Sequence, residues 1–497
     1  MSTASYPLEL LTTDQMAEAD RRTIAGGVPG MSLMENAAAA IAGVTSQILQ
    51  KTSGRRILVL CGPGNNGGDG YVAARLLRGQ RYKVRVASTT PPSELHGDAA
   101  RAAAAWPGEV ASVWDVDFKG VDLVIDALYG TGLARDLDAR TISLVNRLNE
   151  WRRTSKQKVV SVDIPSGVDG TTGGVRGAAV EADITVTFFR VKTGHLLLPG
   201  RLLCGRLNCV HIGIRPSALE GLGVNTFVNE PELWQSRLAL PDVAGHKYSR
   251  GHAVVVSGGP SFTGAARLAA SAALRAGAGL VTLATPAEAL AINAAALTAV
   301  MVRVADGADG LATLLEDRRK NVVAIGPGLG VGEASRHQVE AALASGGGRR
   351  AVVLDADALT SFATEPERLW RAIGGATGDV VMTPHAGEFA RLFPDCDAVI
   401  SKLDRARMAA QVSGAIVLYK GPDTVVAAPD GRAAILPTAS PWLATAGSGD
   451  ALTGIIAGLM AQEMEGFHAA CCATWMHARS ASLFGPGLIA DDLIATL

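Results

Sequence analysis

The sequence predicts an α/β protein made of two doubly wound parallel sheets in succession. Three observations carry this reading. Short runs of Val, Ile and Leu alternate with alanine-rich stretches of helical length along most of the chain, the pattern of strands buried on both faces by crossover helices. The alternation is interrupted between about residues 215 and 248, where Pro216, Pro231, Pro241 and Gly245 stand among polar residues, which places a domain junction there. Glycine supplies 57 of 497 residues and aromatics only 5%. That exceeds the ~7% glycine of an average protein, so many backbone positions are expected to turn tightly or to approach a ligand closely.

The elements follow in order. Met16 to Gln50 reads as helices that pack on the first sheet. RRILVLCG (Arg55–Gly62), YKVRVAS (Tyr82–Ser88), VDLVIDAL (Val121–Leu128) and KVVSVDIP (Lys158–Pro165) read as buried parallel strands with helices between them. The second series is HAVVVSGG (His252–Gly259), GLVTLATP (Gly279–Pro286), NVVAIGPG (Asn321–Gly328), AVVLDADAL (Ala351–Leu359), DVVMTP (Asp379–Pro384) and AIVLYKG (Ala415–Gly421). Domains of 1–225 and 226–497 are therefore expected.

Composition narrows the function classes. A net charge of −1 gives no electrostatic case for a nucleic-acid partner. No apolar run approaches the ~18 residues of a membrane span, and no secretory leader is legible. The six cysteines include no C-x-x-C pair, so free thiols in a reducing cytoplasm are expected.

Two sets of motifs carry chemistry. In the first half, Cys61–Gly70 reads CGPGNNGGDG, between a strand and the helical stretch YVAARLLRG, and Gly62, Gly64 and Gly67 satisfy G-x-G-x-x-G. Such a turn can present backbone amides and a helix N-terminus to phosphate. An ordinary dehydrogenase reading fails at the second strand, which ends in Ala87-Ser88-Thr89-Thr90 with no acid for the ribose hydroxyls. Asn65, Asn66 and Asp69 add polarity suited to a ligand or a cation. Asp126–Gly132 (DALYGTG) and Val162–Gly170 (VDIPSGVDG) follow later strands and belong at the same sheet edge. Asn66, Asp126, Asp163 and Ser166 would then converge as a hard-oxygen set. Helix capping is the alternative role for each acid.

GPGNNGGDG, DALYGTG and VDIPSGVDG resemble the motifs of NAD(P)HX epimerases over roughly Leu8 to Ile214. The resemblance implies a Rossmann-like fold and a potassium ion held by Asn66, Asp126 and Ser166. It implies hydrated nucleotide bound by Asn65, Asn66, Gly67, Gly68 and Asp69, by Gly130, Thr131, Gly132, Leu133, Ala134, Arg135 and Asp136, and by Asp163. Asp163 is the expected acid/base. Lys192, in RVKTGH, stands where the family places a lysine after a strand, with an ordinary surface lysine as the alternative.

In the second half, Thr445–Asp450 (TAGSGD) precedes the apolar stretch ALTGIIAGLMA. Unpaired amides at a helix N-terminus favour an anion, and Asp450 is placed to take a proton from a hydroxyl receiving phosphate. A capping Asp after a glycine turn is the alternative. Lys420-Gly421-Pro422-Asp423-Thr424, His385 within Thr383–Glu388, and Gly326–Gly330 also follow strands of one sheet. Together with SFTGAARLAASAALRAGAGLV (Ser261–Val281), these segments resemble the ribokinase-like superfamily, and within it the ADP-dependent NAD(P)HX dehydratases, from about His246 onward. That resemblance implies substrate contacts at Ala265, Gly328, His385 and Asp450. AMP contacts are implied at Lys420, Gly421, Pro422, Asp423, Thr424 and Gly449, with a magnesium requirement and ADP as cosubstrate.

The joint expectation is a bifunctional repair enzyme acting on NADHX and NADPHX, with no nucleic acid or membrane partner, and self-associated as a homo-oligomer. It would interconvert the R and S epimers and dehydrate the S epimer, converting ADP to AMP and phosphate. Two other classes compete. A ribokinase-like small-molecule kinase with a regulatory nucleotide-binding N-terminal domain would leave a stable phosphorylated product and prefer ATP. A binding module in the first half would show no epimerisation. The glycine surplus is expected where backbone approaches phosphate or ring, at Gly62–Gly70, Gly130–Gly132, Gly326–Gly330 and Gly447–Gly449. Gly346–Gly348 reads as a plain surface loop.

Overall fold

The computed structural model describes residues 7–239, 243, 245–344 and 348–497. Pro241 and the glycines 346 and 347 lie outside the described residues. The chain forms two compact units, Met1–Thr226 and Phe227–Leu497.

The first unit holds seven strands, β1 (Arg56–Cys61), β2 (Lys83–Ser88), β3 (Val110–Ser112), β4 (Leu123–Ala127), β5 (Lys158–Val162), β6 (Ile184–Phe188) and β7 (Arg206–Val210). Their order is β3-β2-β1-β4-β5-β6-β7, and every pairing is parallel. Strand order reverses between β1 and β4, the switch point where open sheets bind ligands. Ile57, Val59 and Cys61 face a core shared with helices α1 (Thr13–Ala25) and α2 (Gly30–Thr52), through Met16, Ala19, Leu33 and Ile41. Leu58 and Leu60 face the opposite core with Leu144, Val145 and Leu148. Two-residue periodicity in fully apolar strands thus fills both layers.

Strand β6 was not legible. Its sequence ITVTF carries Thr185 and Thr187, which are both completely buried. The short strands β3 and β7 likewise carry no apolar run. A second departure concerns the glycine motif. Helix α3 runs from Asn65 to Gly79, so Asn65–Gly70 forms its first turns rather than a loop before it. Gly64 precedes the helix in extended conformation.

The second unit contains β8 (Thr226–Val228), β9 (His252–Val256), β10 (Leu280–Thr285), β11 (Met301–Val304), β12 (Val322–Ile325), β13 (Ala351–Leu354), β14 (Val380–Met382), β15 (Ile416–Tyr419), β16 (Val425–Ala427) and β17 (Ala433–Ile435). The order is β11-β10-β9-β12-β13-β14-β15-β16-β17-β8. The pairings from β11 to β15 are parallel, whereas β15, β16 and β17 pair antiparallel. Helices α4 (Thr263–Arg275) and α5 (Ser448–Ala461) cross closely. A side chain at Gly454 or Gly458 would strike the carbonyls of Ala269 or Ala273 at 2.1 and 2.3 Å. These small residues set the depth of α5, and so the position of its N-terminus.

Candidate functional sites

Each sheet carries a site beyond the carboxyl ends of its strands. In the first unit a cavity of about 920 Å³ is lined by Asn65, Asn66 and Asp69, by Gly130–Arg135, by Asp163, and by Asp14 and Asp20 of α1. Asp163 follows β5 with φ of 63°, a left-handed conformation costly for a residue with a side chain. Its carboxylate is held on every side. Oδ1 lies 2.7 Å from Lys192 Nζ and accepts from Thr187 Oγ1 at 3.1 Å. Oδ2 accepts from the Thr131 amide at 3.1 Å and from Thr131 Oγ1 at 2.9 Å. Burial pushes the Asp163 carboxyl up, but Lys192 and these hydrogen bonds outweigh it and hold the group well below the usual carboxylate range.

Lys192 is 0% exposed, and its ammonium also donates to Thr187 Oγ1 at 2.6 Å. This excludes the surface-lysine alternative. His195, three residues on, accepts from the Lys192 amide through Nδ1 at 3.0 Å, which leaves Nε2 to donate to the Asp163 carbonyl at 2.8 Å. Burial, then the Lys192 charge, pull His195 down to about 4, so the ring is neutral. It ties the lysine backbone to the aspartate backbone.

Asp126 and Ser166 meet as the motifs predict. Asp126 accepts from Ser166 Oγ at 2.6 Å, from the Ser166 amide at 2.9 Å and from Ser161 Oγ at 2.8 Å. Burial raises its pKa, with these hydrogen bonds opposing. Asn66 stands beside Gly130, where an added side chain would meet Asn66 Oδ1 at 2.8 Å and Asp163 Oδ2 at 3.1 Å. The Asn66 amide nitrogen is buried and has no partner among the described residues. Amide oxygen and nitrogen are exchangeable by a flip, so an oxygen can occupy that unpaired position. A buried carboxylate, a serine and an unpaired amide are the hard-oxygen donor types that suit a cation.

The glycines need a correction. A side chain at Gly62 would strike the Leu128 carbonyl at 1.7 Å, and one at Gly67 the Gly62 carbonyl at 2.0 Å. Gly68 and Gly70 face Met34 and Ala127 in the same way. Their missing side chains let α3 pack against the β1 and β4 ends, with protein rather than ligand on that side.

In the second unit, Lys420 at the end of β15 is the hub. Its Nζ lies 2.8 Å from Asp355 Oδ1 and 3.9 Å from Glu388 Oε2. Asp355 follows β13 and also accepts from Thr453 Oγ1 of α5 at 2.7 Å. The next residue, Ala356, has φ of 49°, a second strained position at a strand end. Burial opposes the charge on both partners. Lys420 nonetheless brings Asp355 below its ordinary value, and Asp355 and Glu388 bring Lys420 above its own. Gly449, in the first turn of α5, is where an added side chain would sit 3.6 Å from Lys420 Nζ. Asp450 follows it. Burial and the charge of Asp355 raise its pKa to about 6, against the pull of Lys420.

The other predicted residues divide. Gly328 sits against Ala265, since a side chain there would come within 3.6 Å of the Ala265 methyl. Gly326 is closed by the Asp355 carbonyl at 1.8 Å and serves packing. His385 caps the short helix Ala386–Leu392, accepting from the Gly387 amide at 3.0 Å, while Glu388 accepts from the His385 amide at 2.8 Å. Within Lys420–Thr424, Thr424 Oγ1 donates to the Gly421 carbonyl at 2.7 Å and Asp423 pairs with Lys402 at 2.7 Å. Those two side chains stabilise the turn itself. Asp355 stands in no motif of the sequence, although it follows an apolar strand as Asp163 does.

The family described as NAD(P)H-hydrate dehydratase matches residues 253–488, and the YjeF-related protein N-terminus matches residues 30–194. Over 94% of its length the chain is 37% identical to the bifunctional NAD(P)H-hydrate repair enzyme Nnr of Moorella thermoacetica, covering 91% of that protein. The chain belongs to the bifunctional NAD(P)H-hydrate repair enzymes. It is also 36% identical to Nnr of Escherichia coli, over 89% of this chain and 84% of the relative. Among solved structures, the ADP/ATP-dependent NAD(P)H-hydrate dehydratase of Bacillus subtilis shares 27% identity at a TM-score of 0.47, covering 54% of this chain and 95% of that one. As a member of this family the chain is an epimerase and a dehydratase of hydrated nicotinamide nucleotide, built on two mainly parallel α/β sheets.

Proposed function

We propose that residues 1–225 interconvert the R and S forms of NADHX and NADPHX, and that residues 226–497 dehydrate the S form with ADP. The observation that carries the dehydratase reading is the convergence of Lys420, Gly449 and Asp450 at the N-terminus of α5. A cation, orphan helix amides and a carboxylate then surround one point. Lys420 and the amides hold the nucleotide phosphates. Asp450 takes the proton of the C6 hydroxyl as the terminal phosphoryl group of ADP moves to that oxygen, leaving AMP. The ring nitrogen lone pair then expels phosphate, and loss of a C5 proton restores the double bond. Ala265, Gly328 and His385 line the substrate side, and Lys420–Thr424 with Gly449 line the AMP side. Magnesium would accompany the phosphates and supply charge neutralisation.

In the epimerase, Asn65–Asp69 and Gly130–Asp136 hold the hydrated nucleotide beside Asp163. Asn66, Asp126 and Ser166 would hold potassium, which supplies a fixed positive charge beside the buried carboxylate. Asp163 keeps its negative charge facing the ring. We further propose a cytoplasmic homo-oligomer. Among the described residues no helix is long and apolar enough to cross a membrane.

The test is recovery of the reduced-nicotinamide absorbance from a mixture of both NADHX epimers on addition of ADP. Full recovery is expected. A stable phosphorylated product would favour the small-molecule kinase reading instead.

A further inference from the structure

Asp163, the expected acid/base, has all four carboxylate lone-pair positions filled: Lys192 and Thr187 on Oδ1, and the amide and hydroxyl of Thr131 on Oδ2. A group so bound is a poor proton exchanger. Inverting C6 nonetheless requires a proton to be given and another taken, because hydroxide is a poor leaving group and water a poor nucleophile.

Two other carboxyls line the same cavity. Asp20 lies in the second half of α1, and Asp69 one turn into α3. They reach the cavity from two different helices, while Asp163 reaches it from the sheet edge. Among the described residues neither has a hydrogen bond or an ion pair within 4 Å to its carboxyl. We propose that Asp20 and Asp69 are the two proton-exchanging groups of the epimerase, with Asp163 a fixed anion facing the same cavity. This rests on the epimerase reading above.

The surrounding charges support different roles for the pair. Burial, then Asp163 and Asp20, raise Asp69 well above the usual carboxylate range. Burial and Asp163 bring Asp20 to about 6, and Lys192 opposes them. The remaining charged groups lining the cavity are Asp14, Asp98 and Arg135, together with the paired Asp169 and Arg176. Near neutral pH Asp20 is therefore mostly ionised, while burial and two neighbouring carboxylates favour the protonated form of Asp69, so the environments suit the two groups to the parts of base and acid.

The step balances. Asp69 gives its proton to the C6 hydroxyl, the C6–O bond breaks, and water departs as the ring nitrogen lone pair forms a C=N bond. A second water adds to the opposite face of C6, the nitrogen regains its lone pair, and the surplus proton passes to Asp20. Solvent exchange resets both groups, and the return reaction reverses their roles. Asp163 faces the positive charge that develops on the ring.

The full chain is given purified S-NADPHX without ADP, so that the dehydratase is idle, and the R epimer is followed by chromatography above the uncatalysed background. Asp20→Asn and Asp69→Asn should each slow interconversion by about 100-fold or more. Asp20→Glu, which keeps a carboxyl, should recover part of the rate. Asp20→Asn should also abolish the acid limb near pH 6. With ADP restored, dehydration of the S epimer should stay within about twofold of wild type, since that site is separate. Interconversion within threefold of wild type in either Asn variant overturns the proposal, as does an equal loss in Asp20→Glu and Asp20→Asn. Failure of the wild-type chain to interconvert the epimers would instead overturn the epimerase reading.

Discussion

The two sites use the same pair of residues with the polarity reversed. In the first unit Lys192 is 0% exposed and its partner Asp163 13%, so the carboxylate faces the cavity and the lysine backs it. In the second, Lys420 is 20% exposed and Asp355 2%, so the lysine faces outward and the carboxylate backs it. The ion pairs are otherwise alike, at 2.7 and 2.8 Å. In each unit a non-glycine residue at a strand end adopts positive φ, Asp163 itself or Ala356 beside Asp355. The difference suits the chemistry proposed for each site. A ring that becomes cationic at C6 needs an anion in view, and a phosphoryl group in flight needs a cation. Burying the counter-ion keeps the presented charge fixed in place.

The comparison can be broken from either side. The largest effect is expected at Asp450, where Asp450→Ala should lower dehydration by ~10²–10⁴-fold and leave epimerisation intact. Single-turnover formation of AMP checks this. Next is Lys192→Met, which strands Asp163 as a buried charge. Breaking such a pair costs about 3–5 kcal/mol, read as a loss of denaturant midpoint at neutral pH. Because the wild-type Asp163 pKa is depressed, the pair's contribution is present above the ordinary carboxylate range and is lost as pH falls through the depressed value. The deficit of the variant should therefore shrink on acidification, as its stranded carboxyl takes up a proton.

A third effect concerns pH and rate. Burial and Asp355 raise Asp450 to about 6, and in its proposed role it must be ionised, so dehydration should fall about tenfold per unit below that value and be level above it. Lys420→Met removes a charge that holds the Asp450 pKa down, so any residual activity should have its limb at higher pH. For stability the sign is opposite to Asp163. The raised pKa means that ionising Asp450 opposes folding, so its neutral form favours the fold as pH drops. The smallest effect is Gly130→Ala, whose methyl would crowd Asn66 Oδ1 and Asp163 Oδ2. It should slow epimerisation severalfold with little change in melting temperature.

Legibility of the sequence follows the same division. Asp126, Asp163, Ser166 and Asp450 were legible because Asp126 closes an apolar strand, Asp163 and Ser166 lie in the glycine-bearing turn after the next, and Asp450 opens a helix, each within a recognisable motif. The purpose of the glycines was not, since Gly62 and Gly67 differ from a phosphate loop only in what packs behind them. Lys192 was ambiguous because its burial depends on β6, a strand disguised by Thr185 and Thr187. Asp355 carried the same strand-end signal as Asp163 but no surrounding motif. Asp20 had no local signal at all. Its place in the site is set by how α1 lies over the sheet edge, which is tertiary information.

In the proposed mechanisms the presented charge, carboxylate in one site and lysine in the other, is what each reaction uses. The most direct test measures both activities in the same preparations of Asp163→Asn and Lys420→Met. Asp163→Asn should lose epimer interconversion and keep ADP-driven dehydration of the S epimer, and Lys420→Met should do the reverse. Loss of both activities in either variant, or of neither, would contradict it.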